Sequence, residues 1–164
     1  MNRGFVADDA AIRENLIWLL DGGHAHAKFD DVVAGLPHER AGVRPEGASH
    51  SAWEVLEHMR IAQNDILRFS LSADHVSPDW PAGYWPAGPA PERESDWRLS
   101  IRNFRKDLAE FVGLIRDPAQ DLYKRFPWGT GQSLLREALL IADHNSYHLG
   151  ELVLVRRLLG IWPR

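Results

Sequence analysis

The chain has 164 residues, 45% of them hydrophobic, with seven Trp, six Phe and a formal net charge of −4. That length and apolar content suit one domain, residues 1–164, with its own core. The mildly acidic balance gives no electrostatic reason to expect nucleic-acid binding, which needs a basic stripe to displace counterions from phosphate. Cysteine is absent, which excludes disulfides, zinc–thiolate sites and a Cys nucleophile.

The N-terminal residues run quickly into Asp8 and Asp9, so no signal peptide is expected. No apolar run approaches the roughly 20 residues that span a bilayer. A cytoplasmic protein without a membrane partner is the expectation.

Four segments repeat apolar residues with the helical period, separated by connections rich in Pro and Gly. The first begins at Asp8 or Asp9, either a suitable cap. Its stripe is Ile12, Leu16, Leu19, Gly23, His26, Phe29 and Val33. The register holds across Gly22-Gly23, so one long helix to about Leu36 is expected, with the glycines as the place where it would break. Residues 37–48 form a polar connection. A second helix starts at Ser49 or Ser51, with Glu54 close behind. Its stripe is Val55, Met59, Ala62, Ile66 and Phe69. A long loop, residues 72–91, then carries five prolines with Trp80, Tyr84 and Trp85. A loop of that length in a compact domain is usually functional or interfacial. Covering a site, packing beneath the loop and contacting a second copy are its three readings.

The third helix covers about residues 92–116, with Trp97, Ile101, Phe104, Leu108, Phe111 and Ile115 inward and Pro118 just beyond. The fourth covers about 131–159 and ends at Gly160. Its inward line is Leu134, Ala138, Ile141, His144, His148, Leu152, Val155 and Leu159. With no strand alternation of useful length, an all-α four-helix bundle is the expected fold class.

Histidines in core-facing slots are the informative oddity. His144 and His148 are four apart on one face, His58 takes an inward position on the second helix, and His26 a stripe position on the first. An unpaired imidazole in an apolar core is costly, so each needs a hydrogen-bond partner or a ligand. Converging neutral imidazoles suit a metal such as Zn, Ni or Fe. The competing reading is core histidines satisfied by backbone or by each other. Zincin chemistry needs H-E-x-x-H, whereas the run here is His144-Asn145-Ser146-Tyr147-His148. Di-iron bundles need Glu-x-x-His twice, and the residues three before the three histidines are Val55, Ile141 and Asn145. What remains is a mononuclear all-His site.

Ser51-Ala52-Trp53-Glu54-Val55-Leu56-Glu57-His58 resembles the start of the second helix of DinB/YfiT-like proteins. Ala142-Asp143-His144-Asn145-Ser146-Tyr147-His148-Leu149-Gly150-Glu151-Leu152, continued by Arg156-Arg157-Leu158-Leu159-Gly160, resembles their fourth-helix signature. The resemblance covers nearly the whole chain. It implies an up-down-down-up bundle with a long second-to-third connection, and one divalent ion held by His58, His144 and His148. Nickel or zinc is implied first, with iron or manganese also acceptable to such ligands. It further implies a metal-dependent thiol transferase or hydrolase acting on a small molecule, with a low-molecular-weight thiol as cosubstrate, and a homodimer. A non-catalytic metal-binding or stress-related bundle is the alternative function, and a plain helical interaction protein a third.

Secondary candidates surround this set. His26 is a candidate further ligand or acid/base, and Glu151, three after His148, a candidate carboxylate for orienting a ligand imidazole. Trp53 and Tyr147 are candidate pocket residues, with core packing as the simpler role. Asp143 and Asn145 flank His144 on other faces and receive no role. His24, His38, His50 and His75 read as surface or loop residues.

Overall fold

A computed structural model describes residues 9–163. Its named elements are all helical: α1 (Asp9–Asp21), α2 (Phe29–Val33), α3 (His38–Ala41), α4 (Ala52–Leu71), α5 (Glu94–Arg116) and α6 (Leu134–Leu158), with a short 3-10 turn at Ala82–Tyr84. No strand forms among the described residues, where an isolated bridge pairs Arg125 with Ser133. The long helices α1, α4, α5 and α6 pack on one another as a helical bundle, and α2 lies against α6. No helix among the described residues is long and apolar enough to cross a membrane.

The first expected helix is corrected most. It stops at Asp21 and resumes only at Phe29, because Gly22 (φ +67°) and Gly23 (φ +75°) both take the left-handed conformation. Glycine enters that region without steric cost and weakens a helix interior by about 1 kcal/mol relative to Ala, so two in succession end the helix. The stripe changes with it. Arg13, Leu16 and Leu20 are buried while Leu19 faces solvent. Asp9 is the first residue of α1, and Asp8, the other candidate cap, lies outside the described residues.

The other helices follow the sequence closely. Ser51 caps α4 in a full capping box with Glu54, satisfying two otherwise orphaned amides. Helix α6 starts at Leu134, three residues later than the pattern suggested, because the Ser133 side chain accepts from the Arg136 amide. It ends where Gly160 turns to φ +70°, with the Ile161 amide bonded back to the Arg156 carbonyl.

The core has two lobes. One gathers Val55, Leu56, Met59, Trp97, Phe104 and Leu152, the other Leu16, Leu67, Phe111, Ile115, Leu134 and Ile141. Arg13 is buried and donates to the carbonyls of Ile115 (2.7 Å), Asp117 (3.0 Å) and Gln120 (2.5 Å), which caps the C-terminal end of α5. Buried Arg156 does the same for the chain around α2, donating to the carbonyls of Val32 and Ile161. Asn145, assigned no role from the sequence, proves to face the core. It donates to Gln63 Oε1 (2.9 Å), and Gln63 Nε2 donates to the Phe104 carbonyl (2.7 Å).

Candidate metal centre

Helix α4 delivers His58 and α6 delivers His144 and His148, one turn apart. His58 and His148 are buried and His144 is half-buried. One nitrogen from each ring lies within 4.8 Å of the other two, and the Nε2 atoms of His58 and His144 are 3.0 Å apart. Tetrahedral coordination at ordinary zinc–nitrogen lengths separates nitrogens by about 3.3 Å, so the spacing is of the required size.

Tautomers are fixed by what lies behind the rings. His58 Nδ1 faces the Tyr84 carbonyl at 2.9 Å. A carbonyl only accepts, so Nδ1 carries the proton and the neutral ring keeps its lone pair on Nε2. His148 Nδ1 faces Glu151 Oε2 at 2.8 Å, which leaves its Nε2 for the triad by the same logic. Hydrogen bonds from His148, and then from His50, hold the Glu151 carboxyl below its usual range against the opposing effect of burial. Burial lowers the His58 imidazole, and burial together with the neighbouring His148 and His58 lowers His144 to about 4. His58 and His144 therefore stand neutral at pH 7, as ligands must. Lone pairs brought this close repel unless a proton or a cation lies among them. The donor set fits a divalent ion.

Around the triad is a tightly built support. The Trp85 ring stacks on His58 at 4.1 Å and 7°, and its other neighbour is His50, also stacked at 4.1 Å. His50 Nδ1 contacts Glu151 Oε1 at 2.9 Å, so Glu151 holds His148 with one oxygen and His50 with the other. Tyr84 donates its hydroxyl to Asp65 Oδ2 at 2.7 Å, and His75 Nε2 lies 2.7 Å from Asp65 Oδ1. Burial, reinforced by Asp65, raises the Tyr84 phenol to about 12, so it remains a donor.

The 72–91 loop thus covers the site, the first of its three readings. A cavity of about 550 Å³ opens on the histidines and is lined by Ala62, Asp65, Trp80, Tyr84, Asp143 and Tyr147 among others. That places Asp143 on the cavity wall, where sequence reasoning gave it no role. Tyr147 also lines it, while Trp53 packs against the core instead. His26 does not join the triad. It is exposed, with its Nε2 3.2 Å from Ser146 Oγ. His50 and His75 do lie in connections, as expected, yet both have carboxylate partners at the site. No local pattern announces Asp65, Tyr84 or His50, because tertiary contact alone gives them their roles.

A family model described as the DinB superfamily matches residues 24–152. The chain belongs to the DinB superfamily. The matched span holds α4, α5 and most of α6, and with them all three histidines and Glu151. Neither a curated protein nor a solved structure matched the chain.

Proposed function

We propose that this DinB-superfamily protein binds one divalent ion through Nε2 of His58, His144 and His148, and uses it in a transferase or hydrolase reaction on a small molecule. The reading takes α1, α4, α5 and α6 as a four-helix bundle in up-down-down-up order. Its main support is the convergence of three imidazole nitrogens, with the Nδ1 atoms of His58 and His148 already engaged by the Tyr84 carbonyl and Glu151. Nickel or zinc suits an all-nitrogen neutral set; iron and manganese are accepted less readily.

A divalent ion with three neutral ligands keeps its full charge, and so supplies a Lewis acid that makes an incoming thiol or water more acidic. The chain's own residues do the rest. Glu151 and the Tyr84 carbonyl orient the imidazoles, Trp85 excludes solvent from one face of His58, and the cavity holds the substrate beside the open side of the triad. With no cysteine in the chain, a sulfur nucleophile must come from a low-molecular-weight thiol cosubstrate. The cavity favours this reading over a purely structural metal, whose coordination shell would be closed by protein.

Elemental analysis of untagged protein loaded with nickel or zinc is the test. One equivalent is expected, falling to near zero in folded His58→Ala, His144→Ala and His148→Ala variants. An unloadable parent protein would overturn the reading.

A further inference from the structure

The cavity beside the triad has a chemical bias that the metal reading does not use. Among the described residues its lining contains two carboxylates, Asp65 and Asp143, and no lysine or arginine. Asp143 forms no hydrogen bond or ion pair with any other described residue, so its charge is left for whatever enters.

The remaining wall is aromatic and aliphatic. Trp80 and Tyr84 meet at 5.4 Å between ring centroids and 63° between planes, forming a corner. Tyr147 stands on the α6 side, its ring edge-on to His148. Trp80 is 78% exposed and Tyr147 72% exposed, although both are large and line a cavity. Exposed aromatic faces grouped at a cavity mouth mark a binding surface rather than a core.

Aromatic faces and carboxylates have one preferred guest in common. The ring quadrupole attracts a cation over its face, most strongly where water is excluded, and a free carboxylate adds Coulombic attraction of the same sign. Anions are repelled by both, and a neutral donor can hydrogen-bond the carboxylate but lacks the Coulombic and cation–π attraction. Arg136 lines an adjoining groove that shares Asp65, Ile66 and Leu140 with this cavity, lies 3.5 Å from Glu137 there, and is not among the cavity's own lining residues.

We propose that the substrate of this site carries an organic ammonium group, a protonated amine or a quaternary nitrogen. That group is held by Trp80, Tyr84, Tyr147 and Asp143 while the reacting end reaches the histidines. Asp65, which accepts from the Tyr84 hydroxyl and lies 2.7 Å from His75 Nε2, adds a second carboxylate at the hydroxyl edge of Tyr84. This deepens the metalloenzyme reading and rests on it for the position of the reacting end.

Calorimetric titration of the metal-loaded protein tests it. The probes are choline and the uncharged alcohol in which a quaternary carbon replaces the choline nitrogen. They share shape and hydroxyl group and differ in charge. Choline is expected to bind about tenfold more tightly. Trp80→Ala and Asp143→Asn should each remove most of that preference, while Glu14→Gln, the same charge change on exposed α1, should leave it unchanged. Equal or tighter binding of the uncharged alcohol overturns the proposal. So does a choline preference that survives in both cavity variants. Metal content is read separately on the same samples. Metal uptake without choline preference refutes the ammonium proposal alone, and choline preference without metal uptake supports the pocket while refuting the metal reading.

Discussion

Glu151 does two jobs with one carboxylate. Its Oε2 orients His148 and its Oε1 anchors His50, which stacks on the same indole as His58. Two of the three candidate ligand imidazoles are thereby joined by a circuit of contacts, His148–Glu151–His50–Trp85–His58. Glu151→Gln keeps the shape but gives up the charge that draws a proton onto His148 Nδ1. Loss of such an orienting partner costs metal affinity by about 10- to 100-fold, measurable by competition with a chromophoric chelator. Affinity unchanged in that variant would show the circuit to be incidental. At this scale the sequence was half legible. Helical phase alone brought His58, His144 and His148 to one side of their helices, and the i, i+3 spacing singled out Glu151. His50, Asp65, Tyr84 and Asp143 were not legible, since three of the four find their partners in segments distant along the chain and the fourth faces a cavity made by others.

The glycine pair makes the sharpest contrast between pattern and structure among the elements. The apolar register from Ile12 to Val33 fits one helix, yet left-handed backbone at Gly22 and Gly23 ends it. The two views give opposite signs for Gly23→Ala. Within a continuous helix alanine would stabilise by about 1 kcal/mol. At φ +75°, with the new Cβ placed 2.1 Å from Lys28 Cγ, it should destabilise by roughly 1–2 kcal/mol even if the lysine swings aside. Urea denaturation decides between them by direction alone. Periodicity could not see the break because a stripe records which faces are apolar, not whether the backbone between them stays helical. The capping signals were more dependable. Ser51 with Glu54 and Gly160 marked real ends, because each satisfies particular orphaned amides or carbonyls.

For the whole molecule, an ion bound by residues on α4 and α6 joins helices that are distant in sequence. It should stabilise the folded state by mass action, about 2.7 kcal/mol when free metal is roughly 100 times Kd. For a chain of this size that is a rise in Tm of roughly 5–10 °C. Differential scanning calorimetry with and without nickel or zinc should show the rise, its reversal by chelator and its absence in His144→Ala. A parent Tm indifferent to metal would count against the site. The all-helical architecture was legible throughout, since three of the four long helices begin and end within a few residues of their expected limits. For the connection between α4 and α5, covering a site was one of three readings, and the choice among them was not legible, because irregular segments carry no periodic signal.

The hydrogen bonds that fasten that connection run mainly to one helix. His75 and Tyr84 reach Asp65, the Tyr84 carbonyl accepts from His58 Nδ1, and Ser51 donates to the Pro89 carbonyl. All four of these anchors belong to α4 or its cap. The segment and His58 thus share one foundation. Within it the amides of Gly83, Tyr84 and Trp85 bond to the carbonyls of Asp79, Pro81 and Ala82, so one tight turn sets the two aromatic side chains that brace the site. A displacement of α4 would therefore carry His58 and the segment above it together, keeping the imidazole in register with the cavity wall.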